Sequence, residues 1–179
     1  LQMASDSLEQ RPSAYEEVQE ELRHIDVYRD TPVRLLGYAN EVGEAFRSMV
    51  PVSVVRASYV AAFGYVCADA FDKSRTAYKL NWPSSKDRSR GVAIAAGDTF
   101  LWQTFASVLV PGFTINRLCK FTGWFIEKRS LLPISVRKWT TTAIGLAAIP
   151  FIVRPIDAAV EMTMERTVRP IYHMEHHKE

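Results

Sequence analysis

The chain has 179 residues, of which 47% are hydrophobic and 23% are charged, and its formal net charge is +2. A net charge this small argues against a nucleic-acid partner. In addition, the sequence has no lysine or arginine run interleaved with aromatic residues, as a nucleic-acid groove would need. The two cysteines, Cys67 and Cys119, stand in separate segments and match neither a disulfide framework nor the spacing of a zinc site.

The first predicted element is a short amphipathic helix over residues 13–25. Ser13 and Glu16 have the spacing of a capping box, in which each side chain bonds a free backbone N–H at the start of a helix. Apolar residues then follow at helical spacing, and the opposite face is acidic. That face is either a solvated surface or a docking site for a basic partner. It consists of Glu16, Glu17, Glu20 and Glu21.

A second helix is predicted from Pro32 to about Met49. Proline is favoured at the first position of a helix, and Pro51 disfavours a helical residue before it. Its charges suit a helix at the membrane surface, or one packed inside a bundle, better than a bare membrane span.

Glu41 and Glu44 lie three residues apart on this predicted helix. Paired carboxylates can serve acid–base or metal chemistry, but di-metal bundles also need histidines from facing helices, and no core segment contains one. We therefore expect internal ion pairs instead, between Glu44 and Arg47 and between Glu41 and either Arg34 or a neighbouring base.

Three weakly charged segments follow, over residues 51–68, 91–116 and 139–153. A membrane span needs about 20 apolar residues, which the first two segments approach or exceed. The third has only about 15 residues, which is short for a full span, but Lys138, Trp139 and Arg154 flank it as in a membrane segment. We expect a polar loop over residues 69–90, an end or kink at Pro111 and Gly112, and a separate amphipathic helix from about Pro155 to Arg169. The predicted class is all-α, a small bundle of about three membrane-embedded helices with flanking amphipathic helices. Its parts are an N-terminal extension (1–27), a membrane domain (28–170) and a charged tail containing histidines (171–179).

Two of these apolar segments each contain a single prominent charge, Arg56 in the first and Asp98 in the second. A charge in lipid costs at least about 2.5–3.5 kcal/mol, so it must face protein, water or a counter-charge. We predict an ion pair between Arg56 and Asp98. The alternatives are that Asp98 caps a helix beginning there, or that it belongs to a proton or ion path.

Three long motifs resemble the mitochondrial fission process protein family, in the order found there, across roughly residues 28–170. They are YRDTPVRLLGYANEVGEAFRSMVP from Tyr28, GDTFLWQTFASVLVPGFTINR from Gly97 and VRKWTTTAIGLAAIPFIVRPID from Val136. The resemblance implies an integral protein of the mitochondrial inner membrane that is linked to division and membrane integrity, with no enzymatic activity or cofactor. The acidic helix, the tail and Arg56 depart from the pattern. The motif residues of interest are Asp30, Asn40, Glu41, Glu44, Arg47, Trp102, Pro111, Asn116, Trp139, Pro155 and Asp157.

Four basic residues, Arg117, Lys120, Arg137 and Lys138, flank an aromatic-rich stretch. Such mixtures suit the headgroup layer of a membrane, where each basic side chain attracts anionic lipid by about 1 kcal/mol. In an inner membrane the expected ligand is cardiolipin. The alternative is a rim that faces solvent or a partner protein.

Three functions remain open from the sequence. The first is a structural or scaffold protein of the inner membrane, and the second is an accessory subunit of a respiratory complex or the ATP synthase. A carrier or channel is the weakest, because one acid and one base do not make a pathway. No motif for catalysis or metal binding occurs, so we expect no cofactor and no small-molecule substrate.

Overall fold

A computed structural model describes Tyr28, residues 32–129 and residues 132–173. Every regular element among these residues is helical, and three helices are long and apolar enough to cross a membrane. The all-α class is thereby confirmed, and so is the expected number of helices that can span a membrane. Some predictions lie outside the described residues: the acidic helix with Glu16, Glu17, Glu20 and Glu21, the motif residue Asp30, and the last six residues of the tail.

The described chain begins with a 3-10 helix, Pro32–Tyr38, which continues into the short helix α1, Ala39–Ala45. Turns follow, and helix α2 then runs over Val52–Lys79. The predicted start at Pro32 is confirmed. The helix ends a few residues earlier than expected, before the turn that leads to Pro51.

Helix α3, Ser85–Gln103, leads through a π-helical segment, Thr104–Leu109, into helix α4, Val110–Arg129. These three segments form one continuous helix of 45 residues, called the long helix below. Helix α5, Ile134–Thr167, and the short helix α6, Arg169–His173, complete the described chain.

Helices α2 and α5 both run antiparallel to the long helix. Ala77, late in α2, packs near Ala95, whereas Val66 packs near Val108, farther along the long helix. In the same way α5 passes α4 first and then reaches the end of α3. Helix α1 lies between α2, α4 and α5, and its position brings the polar residues of the core together.

The predicted polar loop over residues 69–90 is wrong, because α2 continues to Lys79 and leaves only a short connection. Asp69 does not end the helix, since the side chain is buried and accepts a hydrogen bond of 2.5 Å from Gln103 Nε2. The connection itself is fixed by Trp82, whose indole N–H donates to the carbonyl of Ala77 at 2.8 Å. Ser84 caps the start of α3.

No helix ends at Pro111 and Gly112, so the predicted end there is wrong. Proline has no N–H and its ring crowds the carbonyl four residues earlier, so a regular helix would be disturbed there. The π-helical segment stands immediately before Pro111, where its wider turn accommodates this disturbance. Gly112 serves close packing instead, since a Cβ there would lie 2.8 Å from both Asn40 Nδ2 and Tyr59 Oη.

Helix α5 contains Pro150 and Pro155 without a break, so the separate helix predicted from Pro155 is a continuation of α5. Prolines are tolerated in membrane helices because neighbouring helices hold the chain in place. Here Val160 and Met164 of α5, which follow Pro155, pack against Trp102 of α3.

Large apolar side chains remain exposed on each of the three long helices. Phe71 on α2, Phe113 on α4 and Phe151 on α5 are 71%, 60% and 80% exposed. In water such a surface would be unusual, whereas in a bilayer it faces hydrocarbon. The long helices therefore present apolar surface to the outside, and the interior combines apolar clusters with buried polar side chains.

Candidate functional site

One group of buried polar side chains is centred on α1. Asn40 and Glu41 are completely buried and Glu44 is 2% exposed, although the helix has only seven residues. Buried polar groups are costly unless they are hydrogen-bonded or neutralised, especially in a bundle surrounded by lipid. The partners of these three residues therefore show what α1 does in the fold.

Glu44 joins α1 to two membrane helices. Its carboxylate accepts hydrogen bonds from Asn116 of α4 at 2.7 Å and from Tyr59 of α2 at 3.0 Å, while Arg47 binds both oxygens at 2.6 and 2.5 Å. Burial raises the pKa of Glu44, but the hydrogen bonds from Arg47, Asn116 and Tyr59 outweigh it and hold the pKa below its ordinary value. The predicted Glu44–Arg47 pair is confirmed, and the carboxylate stays ionised as a cross-link.

Both ends of α1 are attached to other helices. Asn40 Nδ2 donates to the carbonyl of Val108 in the π-helical segment at 2.9 Å. Thr142 Oγ1 of α5 donates to the carbonyl of Ala45, the last residue of α1, at 3.0 Å. Close approach is essential here, since a Cβ at Gly145 would lie 3.1 Å from Ala45 Cβ.

Glu41 has a different environment. It is fully buried, and neither carboxylate oxygen accepts a hydrogen bond from the described part of the chain. Burial and the nearby charge of Asp157 raise its pKa to about 8, with a smaller opposing effect of Arg34. Glu41 is therefore largely a neutral acid near pH 7.

The predicted pair of Glu41 with Arg34 is wrong, because Arg34 binds Asp157 instead. This bond ties the 3-10 helix to the middle of α5, and Arg34 also donates to Tyr38. A cavity of about 900 Å³ lies beside the pair, lined also by Pro150 and Arg154.

Asp98 pairs with Arg169, not with Arg56 as predicted. Arg169 Nε and Nη2 each donate to one carboxylate oxygen at 3.1 Å, and Tyr172 Oη also donates to Asp98. Arg56 is exposed on α2. The alternative role as a helix cap is wrong too, since Asp98 lies inside α3. The observed pair fixes the end of α5 and α6 against α3.

A second polar group in the core was missed by sequence reasoning. Gln103 donates to Asp69 at 2.5 Å, Ser107 donates to Gln103 at 2.5 Å, and Lys73 lies 3.8 Å from Asp69. Asp69 looked like the end of an apolar segment. The signal was the helical spacing, because Ala62, Val66, Asp69 and Lys73 fall on one buried face.

The remaining motif residues divide between the core and the surface. Trp102 is buried against Val160 and Met164, and Pro111 is buried near the start of α4. Pro155 is exposed, and Trp139 is 60% exposed at the end of the bundle where α4 meets α5.

Three of the four predicted headgroup residues converge on one cavity of about 300 Å³. Lys120, Arg137 and Lys138 line it together with Arg47. Arg117 does not belong to this group, since its guanidinium lies 5.0 Å from the ring centre of Phe113.

Fold and interior together define a helical membrane protein whose buried polar side chains join helices to each other. A family model described as mitochondrial 18 kDa protein (MTP18) matches residues 15–90 and 74–164. Two relatives are named mitochondrial fission process protein 1. The one from Caenorhabditis elegans is 58% identical over 153 residues, covering 86% of this chain and 92% of the relative. The human one is 52% identical over 147 residues, covering 82% and 88%.

The chain belongs to the mitochondrial fission process protein family. It is therefore a mitochondrial protein with helices capable of spanning a membrane and with a role related to mitochondrial fission. No solved structure matches the chain.

Proposed function

We propose that this chain is a non-enzymatic structural protein of the mitochondrial inner membrane that acts in inner-membrane organisation or division. The observation that supports this most is the set of bonds around α1, in which charged and polar side chains hold three membrane helices together. Glu44, Asp98 and Asp157, which could have suggested chemistry, bond to other helices instead. Glu41, whose pKa is about 8, is completely buried and has no access to a substrate.

The carboxylates illustrate this point. A general acid or base must reach the proton that it transfers and have a pKa near the working pH. Glu44 instead accepts from three side chains, which favour its ionised form, and Asp98 is held by both Arg169 and Tyr172. Such arrangements favour a fixed scaffold.

The inner-membrane location is tested by protease protection. In intact mitochondria and in mitoplasts, the full chain carrying a terminal tag is exposed to protease and then to alkaline carbonate. Resistance in intact mitochondria, retention in the carbonate pellet and cleavage only after the outer membrane is opened support the proposal. Cleavage of the tagged end and of the connection between α2 and α3 in intact mitochondria contradicts it.

The role in organisation or division is tested by replacement in cells. The endogenous protein is depleted, and continuity of the matrix is measured by the spread of a photoactivated matrix fluorophore, with cristae imaged by tomography. Expression of the full chain should restore both measures. Unchanged matrix continuity and cristae after complete depletion would contradict the proposal.

The accessory-subunit interpretation gives a different result on a native gel. Mitochondria are extracted in mild detergent, and gel slices are analysed by mass spectrometry. Migration alone or as a small homo-oligomer supports the free-standing structural protein. Comigration in fixed ratio with a respiratory complex or the ATP synthase supports a subunit instead. For the weaker alternative, a carrier or channel, purified chain would increase ion or solute flux across sealed vesicles.

A further inference from the structure

We propose that the cavity between the end of α1, α4 and α5 binds the phosphate headgroup of an anionic phospholipid, with the two phosphates of cardiolipin as its best match. The proposal deepens the inner-membrane role proposed above and rests on its membrane location. The cavity has a volume of about 300 Å³. Its basic lining residues come from three separate elements, since Arg47 follows α1, Lys120 lies on α4, and Arg137 and Lys138 lie on α5.

The charges of the cavity favour a dianion. Four basic residues line it against two acids, Glu44 and Glu127, which leaves two positive charges uncompensated. The acids are already engaged, Glu44 by Arg47 at 2.5 Å and Glu127 by Arg137 at 3.7 Å. The basic lining residues that are not engaged by these acids are Lys120 and Lys138. Both are exposed, and neither forms an ion pair with a residue that the structure describes. These two ammonium groups are available for phosphate oxygens.

The rest of the lining favours a lipid over a free phosphate ion. Ala45, Cys119, Gly123 and Ile134 also line the cavity, and Ile134 is 63% exposed. An inorganic ion gains nothing from apolar walls, whereas the glycerol and first methylenes of a lipid are buried by them.

Aromatic residues place the cavity at headgroup depth. Trp124 and Trp139 follow directly after lining residues of α4 and α5, and they are 51% and 60% exposed. Exposed tryptophans of membrane proteins concentrate where hydrocarbon meets headgroups. Lys128 Nζ lies 4.6 Å from the ring centre of Trp124, which adds positive charge at the same level.

Size restricts what can enter. Small-molecule sites have volumes of about 300–1,000 Å³, so this cavity is at the small end and accepts a headgroup but not a whole lipid. The acyl chains would then lie along the exposed apolar side chains of α4 and α5, such as Phe121 and Val136.

The test is a binding titration of the purified full chain in detergent with short-chain cardiolipin, followed by native mass spectrometry. In the variant with both Lys120→Gln and Lys138→Gln we expect binding to weaken about 30-fold. Each lysine contributes about 1 kcal/mol to binding, and about 1.4 kcal/mol corresponds to a factor of ten in affinity. The matched control carries Lys79→Gln and Lys86→Gln. These exposed lysines lie beside the connection between α2 and α3, at the other end of the long helix, and the control should bind as the parent does.

A gain of binding provides a second check, because misfolding cannot produce one. Glu127→Gln removes an acid from the cavity and releases Arg137, so we expect about fivefold tighter binding. Equal losses in the lysine variant and its control would overturn the proposal, as would unchanged binding in all three variants.

Comparison of ligands identifies the source of the phosphate. Tighter binding of cardiolipin than of phosphatidylglycerol, with little binding of phosphatidylcholine, supports the proposal. Complete competition by millimolar inorganic phosphate would overturn it in favour of a soluble anion. Because these measurements use purified protein, a loss of lipid binding is separable from a failure of the cellular tests of the proposed function.

Discussion

Replacement of the buried Glu41 by glutamine should change how stability depends on pH. In the folded chain the pKa of Glu41 is about 8, against an ordinary value of 4.5, because of burial and the charge of Asp157. Since this acid must be protonated when folded but ionises when unfolded, the folded state loses stability as pH rises from about 4.5 to about 8. At 1.36 kcal/mol for each pH unit, the loss over the whole window is about 5 kcal/mol.

Glu41→Gln cannot ionise, so this loss should disappear. Compared with the parent, the variant should gain about 5 kcal/mol between pH 4.5 and pH 8.5, or about 10–20 °C in Tm for a chain of this length. The assay is thermal unfolding of detergent-solubilised protein across this range. The difference between the two ends is compared, since any constant cost of the buried amide then cancels.

Glu44→Gln is the matched control on the same short helix, with the opposite sign. The pKa of Glu44 is lowered, so its contribution to stability is present above about pH 4.5 and is lost only as pH falls through the lower folded value. This variant should lose roughly 2–3 kcal/mol at every pH from 5 to 8 and keep the slope of the parent. If Glu41→Gln also keeps that slope, the buried carboxyl is not the titrating group, and Glu41 is not a neutral acid in the folded chain.

Further variants test the close packing and the corrected ion pair. Gly145→Ala should destabilise the bundle by about 1–3 kcal/mol, because the added Cβ would lie 2.6 Å from Cys119 Sγ and 3.1 Å from Ala45 Cβ. Gly64→Ala should instead stabilise the chain by about 0.5–1 kcal/mol, since nothing lies within 4 Å of the added Cβ and alanine favours the helix. Thermal unfolding measures both variants, and equal effects would contradict the close packing at Gly145. Asp98→Asn should cost about 2–3 kcal/mol through its weakened bonds to Arg169. Combined with Arg56→Gln it should be additive within about 0.5 kcal/mol in a double-mutant cycle, and a larger coupling would restore the rejected pair.

Local patterns in the sequence were enough for much of the fold. The three helices that can span a membrane each contain one of the predicted apolar stretches, because hydropathy is a sum over neighbouring residues. The Glu44–Arg47 pair could be predicted for the same reason, since residues three apart on a helix are adjacent.

The continuity of the helices through their prolines was harder to predict. Pro111, Pro150 and Pro155 all weaken a helix locally, yet the chain continues through each of them. Neighbouring helices and the π-helical segment stabilise these stretches by contacts between residues far apart in the chain. Helix propensities summed over a short stretch of sequence do not include the stabilisation that these contacts provide.

The candidate lipid site was predicted in part. Lys120, Arg137 and Lys138 could be assigned to the membrane surface from their aromatic neighbours, but Arg47 could not be added to them. It joins them because α1 lies between α2, α4 and α5, and this placement depends on contacts such as Thr142 with Ala45, 97 residues apart.

By itself the sequence determined the all-α class, which segments are apolar enough for a membrane, and to which family the chain belongs. Only the tertiary structure decided the partners of the buried charges: Asp98 meets Arg169 and Arg34 meets Asp157. The physical reason is that hydropathy and helix formation are properties of neighbouring residues. The partner of a buried charge depends instead on the rotation of each helix about its axis and on the register of antiparallel helices, both of which are fixed only when the bundle packs.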